Sequence, residues 1–420
     1  MPLFNGKNLN NWEIVGGNAT YKIVDDVIIG TSQLNTPNTF LTTKQHFTDF
    51  ILELEYKVDP LLNSGIQIRS NSIQDYYNGR VHGYQIEIDP SERSWSAGIY
   101  DEARRGWLFP LTKNPEAQKA FKQGEWNAYR IEAIGDTIKT WINGIAAAHL
   151  IDDLTPKGFI GLQVHSIGKD SSKLGTQVAW RNIKILTDDL HLHTQKSSVE
   201  AIKTKNNLTM HEANSGWKML WDGSTLNGWE GVHSKDVSSW TIEDGELKVS
   251  PSNDGQDIIT TKTYKDFELK LEFKLTEGAN SGIKYYANQF DQGESTSFLG
   301  LEFQLLDDTT HPDAHRGEPH GSRTAGALYD IFAPDTSKFL TAIGQWNHAH
   351  IVSKNNTVTH WLNHIKILEY ERGSEALESA IENSKFKGVS GFGTIDSGHI
   401  LLQDHDSEVF FRNIKIKEIN

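Results

Sequence analysis

The pentapeptide Arg-Asn-Ile-Lys-Ile occurs twice, at 181–185 and 412–416, and each occurrence closes one copy of a repeat that covers most of the chain. The copies also open alike. Leu3-Phe4-Asn5-Gly6, followed by Leu9-Asn10-Asn11-Trp12-Glu13, matches Leu220-Trp221-Asp222-Gly223, followed by Leu226-Asn227-Gly228-Trp229-Glu230. A chain of 420 residues exceeds one ordinary core and fits two domains of about 200 residues each. The repeat places the first copy at 1–188 and the second at 215–420. Residues 189–214, polar and without clear periodicity, are expected to be a linker.

Within each copy the dominant period is two. In Phe267-Glu268-Leu269-Lys270-Leu271-Glu272-Phe273-Lys274-Leu275 every odd position is apolar and every even one charged. The matching stretch keeps Phe50, Leu52, Leu54, Tyr56 and Val58 on one face. Such strands lie with one face on a core and the other in water. Asn63-Ser64-Gly65 and Asn280-Ser281-Gly282 read as turns, and Asn143-Gly144 as a hairpin tip. Many short alternating strands with few helices predict an all-β sandwich in each copy. A helix-forming stretch near 374–384 is expected on the surface, and Val199 to Lys205 within the linker can form a helical turn.

One strand pair carries an unusual wet face. Gly300-Leu301-Glu302-Phe303-Gln304-Leu305 puts an acid and an amide opposite its apolar set. Gly83-Tyr84-Gln85-Ile86-Glu87-Ile88 repeats the design with acid and amide exchanged, Gln85 standing for Glu302 and Glu87 for Gln304. By the same parity Gln67 and Arg69, or Lys284 and Tyr286, join that face, as do Gln163 and His165, or Gln403 and His405. A net charge of −14 argues against nucleic acid or an anionic membrane as partner, and no apolar run approaches the ~20 residues of a membrane span. Without cysteine there is neither a disulfide framework nor a thiolate metal site. No signal peptide is visible at Met1. A periplasmic or secreted protein, its leader missing from this chain, is expected over a cytoplasmic one.

Taken together, several motifs resemble the 3-keto-disaccharide hydrolase domain family. They are Leu220-Trp221-Asp222-Gly223, Asn280-Ser281-Gly282-Ile283, Gly300 through Asp308, Arg323-Thr324-Ala325-Gly326-Ala327-Leu328-Tyr329-Asp330, Gly344-Gln345-Trp346-Asn347 and Leu402-Gln403-Asp404-His405. The resemblance covers nearly all of 215–420 and, more loosely, 1–188, where Ser94-Trp95-Ser96-Ala97-Gly98 stands for the Arg-Thr-Ala-Gly segment. It implies a concanavalin-A-like jelly roll in each copy, with a carbohydrate site on a concave sheet face. It also implies action on glycosides already oxidised at C3 by a partner such as a glycoside 3-dehydrogenase.

A ketone at C3 acidifies the neighbouring C2–H, so the glycosidic bond can break by proton abstraction and elimination. Such a site needs a base, a donor to the enolate oxygen and help for the leaving oxygen. The candidate bases are Glu302 and Glu87. His405 and His165 are candidate acids or ligands, and Arg323 a candidate enolate stabiliser. Candidate substrate contacts are Gln304, Gln403, Lys284, Tyr286, Tyr329 and Asp330 in the second copy, and Gln67, Arg69, Gln85, Gln163, Tyr100, Asp101 and Trp95 in the first. Trp107 is a further sugar platform, whereas Trp12, Trp126, Trp229 and Trp346 are assigned to the cores. His311, His315 and His320 invite a zinc reading, but their spacing in a proline-containing loop is not a helical metal pair. No cofactor is required. Calcium is common in this fold class, yet no Asp-rich loop identifies a site. The rival to an enzyme is a tandem pair of non-catalytic carbohydrate-binding modules gaining avidity from two linked sites.

Overall fold

A computed structural model describes residues 1–234, 237–251, 255–291 and 296–419. The chain divides into two compact units, Met1–Thr204 and Lys205–Asn420, and each is a jelly-roll sandwich of two sheets.

In the first unit an eight-stranded sheet built around Phe50–Val58 packs on a seven-stranded sheet that contains Ser64–Asn71, His82–Ile88, Ile99–Glu102 and Phe159–Val164. The inward face of Phe50–Val58 supplies Phe50, Leu52, Leu54, Tyr56 and Val58 to one core, where they join Ile66, Ile68, Tyr84, Ile86, Leu162 and Trp180. The alternation in the sequence is therefore the alternation between core and outer face. In the second unit Phe267–Leu275 takes the same place, pairing with Trp346–Lys354 on one side and Val409–Glu418 on the other. Opposite it lies a five-stranded sheet that ends on Asn280–Asp291 and Thr296–Leu306. The expected surface helix spans Glu375–Glu382, with Ser374 as its N-cap.

Both units interrupt the acid-amide sheet in the same place. The pairing of Ser64–Asn71 with His82–Ile88 shifts register after Ile68, and that of the two second-unit strands shifts after Tyr285. Arg69 and Tyr286 sit at these bulges with φ of 46° and 53°. A bulge inserts a residue and re-aims the side chains that follow. Arg69 consequently points between the sheets, where it donates to Thr48 O, Gly135 O and Asp49. Tyr286 reaches the opposite sheet and bonds Ser353. Neither lies on the outer face that simple parity assigns to it. Left-handed backbone at a residue with a side chain costs roughly 1–2 kcal/mol, which the three Arg69 bonds offset.

The stretch expected as a linker is not loose chain. Residues 189–204 lie on the first unit: Gln195 N donates to Glu132, His149 bonds Val199 O, and Ile202–Lys203 adds a short parallel strand beside Leu150 and Ile151. Residues 205–214 belong to the second unit, where Asn206 binds Gly245 O and Asn413 N, and Glu212 pairs with Lys415. Polar composition here marks a docked strap that satisfies sheet-face polar groups.

Candidate functional site

The second unit's site begins at Glu302. Its strand places it directly across from Lys284, on the outer face of the five-stranded sheet. Its side chain leans over Gly282, where a Cβ would stand 2.2 Å from Oε1. The glycine of the Asn-Ser-Gly motif thus makes room for the carboxylate. Glu302 is 5 % exposed, and no described residue donates a hydrogen bond to its carboxylate. Burial raises its pKa, while the Lys284 and Lys385 ammoniums and, more weakly, His405 pull the other way. A carboxylate held this way is a base strengthened by desolvation and kept accessible to ionisation by nearby cations.

Around it the chain builds a polar wall. Lys284 Nζ lies 3.2 Å from Asp257, whose other oxygen accepts the Asp404 backbone N–H. Gln304 donates to Asn280. The segment that follows residues 309–324 zips onto the edge strand, Tyr329 N–H bonding Glu302 O and Gln304 N–H bonding Ala327 O. Tyr329 OH donates to Asp313, and Arg323 spans Asp313 and Asp330 at 3.0 and 2.7 Å. Nε and Nη1 of Arg323 are committed to these carboxylates, so it braces the wall. Asp330, 5 % exposed, also accepts Lys385 N–H and is part of the same brace.

The histidines lie differently from the parity reading. The strands carrying them stop at Val164 and Leu402, so His165 and His405 follow in loops. His405 is exposed at the rim, close enough for its charge to act on Glu302. Gln403 is half-buried beside it. His165 turns back on its own chain and bonds Ser166 O at 2.7 Å. The charges that act most on Glu87 are Asp89 and Arg93 instead.

In the first unit the corresponding face is closed. Gln85 holds the place of Glu302, lies over Gly65, accepts from Gln67 at 2.6 Å and donates to Glu87 at 2.8 Å. Glu87 also accepts from Asn63, and burial pushes its pKa up to about 7. Gln163 is fully buried on this face, with neither carboxamide atom bonded. Phe40, Val81 and Phe159 fill the hollow beside these amides, and Asn38 reaches Glu102 from the far strand.

Three first-unit candidates, Asp101, Trp95 and Trp107, are engaged by neighbouring arginines. Asp101 is fully buried and paired with Arg104 and Arg105, and Arg105 in turn holds Asp152. Trp95 and Trp107 pack edge to face, and the Arg93 guanidinium covers both rings at 4.5 and 5.0 Å. The guanidinium thus occupies ground that a sugar ring would need on both rings. Tyr100 is half-buried against Trp107. Trp12 and Trp229 are buried as expected, but Trp126 and Trp346 lie half-buried on outer sheet faces under Arg181 and Arg412. His311 caps Asp313 N, and among the described residues no group of three or more His, Asp or Glu is placed to hold a metal ion.

Sequence reasoning missed Lys385 and Asp257. The signal for Lys385 was present: 372–397 joins two strands that 152–158 joins in the first copy, and the extra length carries it. Asp257 had no counterpart motif to mark it.

Comparison with known families matches the two copies separately. The family model for 3-keto-alpha-glucoside-1,2-lyase-like domains matches residues 1–186 and again 216–417. A 3-keto-disaccharide hydrolase of Bacteroides thetaiotaomicron is 34% identical over 231 residues, which is 49% of this chain and 79% of that protein. A candidate glycosyl hydrolase of known structure from Parabacteroides distasonis is 29% identical, with a TM-score of 0.47 over 52% of this chain and all of that one. The carbohydrate-binding module CBM66 of Bacillus subtilis aligns with a TM-score of 0.30 and 15% identity over 42% of this chain and 96% of its own. Among the described residues no helix is long and apolar enough to cross a membrane. The chain belongs to the family of 3-keto-alpha-glucoside-1,2-lyase-like domains, as a tandem pair, and is a carbohydrate-active protein of the hydrolase type.

Proposed function

We propose that the second copy cleaves 3-keto-glycosides by elimination, with Glu302 as the base. The observation that carries this is a buried carboxylate, unbonded by its described neighbours and raised in pKa, in the unit where the repeat could equally have kept an amide. Glu302 takes the proton from C2, and the electron pair moves into the C2–C3 enolate. The enolate then expels the C1–O bond, and the departing oxygen takes a proton from His405 at the rim or from water. Addition of water across the C1=C2 bond completes net hydrolysis. The substrate must come from a reaction that oxidises a glycoside at C3, the class a glycoside 3-dehydrogenase performs. Lys284, Gln304, Gln403 and Tyr329 are proposed contacts of the keto sugar.

The first copy is proposed not to turn over. Gln85 cannot accept a C2 proton, and Glu87 is held by two amides beside the Arg93–Asp89 pair. It serves as a scaffold or a weak binding module. The test is incubation with 3-keto-trehalose or a 3-keto-glucoside, following release of glucose or aglycone. Release lost in Glu302→Gln supports the reading, and saturable binding without release supports the binding-module alternative.

A further inference from the structure

Lys385 sits on the insertion 372–397, which has no counterpart of similar length in the first copy. Its backbone N–H is pinned by Asp330 at 2.8 Å, and its ammonium lies 4.1 Å from the centre of the Tyr329 ring and 5.0 Å from that of Phe386. Tyr329 is itself anchored to Glu302 through the backbone. The lysine is thereby held on the ring of the residue that pairs with Glu302, and its charge acts on that carboxylate, after that of Lys284.

The three cations of the wall differ in one respect. Lys284 is paired with Asp257, and Arg323 with Asp313 and Asp330. Lys385 makes no ion pair or side-chain hydrogen bond with a described residue, and rests only on aromatic faces. An ammonium held on a ring face keeps its N–H bonds available for an incoming oxygen. We propose that Lys385 is a catalytic residue of the second copy, donating a hydrogen bond to the C3 oxygen as the enolate forms. This rests on the elimination reading above. It also explains why base and lysine occur together: the copy with Gln85 in place of the acid lacks the insertion as well.

Lys385 is exposed to solvent, yet its packing against the wall lowers its pKa, chiefly by desolvation, which makes it a better-matched donor to an enolate than a fully hydrated ammonium. The step balances without an added reagent. The C2 proton goes to Glu302, the new charge on O3 is met by the ammonium, and loss of the leaving oxygen returns the electron pair to the C1=C2 bond.

The test compares Lys385→Met, Lys385→Arg and the neighbouring Lys387→Met on a 3-keto-glucoside. In Lys385→Met we expect kcat to fall about a hundredfold with KM within about threefold, and Lys385→Arg to recover about a tenth of the activity. The acid limb of the kcat/KM profile, which reports Glu302, should also move to higher pH when the nearby cation is removed. Lys387→Met should change neither. Wild-type cleavage with Lys385→Met retaining kcat within threefold and an unmoved acid limb would overturn the role of Lys385 alone. A wild-type protein that releases nothing from any 3-keto-glycoside would overturn the elimination reading itself.

Discussion

The two copies present the same sheet face and use it in opposite ways. In the second, an acid faces a lysine across the strand pair, and its nearest described neighbours leave its carboxylate unbonded. In the first, an amide faces an amide, each side chain bonds the next, and three apolar side chains occupy the hollow. A bonded amide in the place of the acid has no proton to exchange at neutral pH and no unmet electrostatic demand, and Glu87 beside it is held by Asn63 and Gln85. An acid beside cations has both. The repeat keeps the framework and changes two strand positions, and on the proposed function this difference separates a catalytic copy from a structural one.

The largest effect that sharpens this contrast is on turnover. Glu302→Gln should lower kcat/KM on a 3-keto-glucoside about a thousandfold, whereas Glu87→Gln should leave it within about threefold. Comparable losses in both variants would make the copies equivalent.

Next is the bulge residue. Arg69→Met leaves Thr48 O, Gly135 O and Asp49 without their donor and should destabilise the first unit by roughly 3 kcal/mol. Hydrogen exchange of the Ser64–Asn71 amides in the intact protein reads this directly, with cleavage rates unchanged at temperatures where both units are folded.

Glu87 gives a pH-dependent effect of similar or smaller size. Its folded pKa of about 7 lies above the ordinary 4.5, so the folded first unit holds a proton that the unfolded chain releases. Below about pH 4.5 both states are protonated and no penalty exists. The penalty grows as pH rises to about 7 and levels off at roughly 3 kcal/mol. Wild-type exchange protection in the first unit should fall between pH 5 and 7.5, and Glu87→Gln should flatten that slope.

Smallest is Tyr286→Phe, which removes bonds to Lys265 O and Ser353 and should cost the second unit about 1 kcal/mol. Its effect on KM should be negligible because the hydroxyl lies between the sheets. A large rise in KM would put Tyr286 back on the substrate face.

These cases also mark how far the sequence could be read. The repeat and the period-two strands carry the duplicated sandwich, because one buried face per strand writes itself into alternating residue types. The same parity correctly sets Glu302 and Lys284, or Gln85 and Gln67, on one outer face. It fails at Arg69 and Tyr286, where an inserted residue resets the count and nothing in Ile-Arg-Ser or Tyr-Tyr-Ala announces a bulge. It fails again at His165, which follows the last paired residue and turns back on its own chain, whereas His405, also in a loop, stays within electrostatic reach of Glu302. Asp101 shows a third limit: an acid at a strand position reveals its role only through partners such as Arg104 and Arg105. Lys385 lay just past the helix-forming stretch of an insertion, where only the extra length relative to the other copy marked it.

The central claim is proton abstraction at C2 by the second copy, and deuterium reports it directly. With a 3-keto-glucoside cleaved in D2O and the released sugar followed by proton NMR, the wild-type product should carry deuterium at C2, and Glu302→Gln should abolish both label and release. Rapid wild-type release of sugar retaining its C2 proton would mean direct displacement at C1 and would contradict the account.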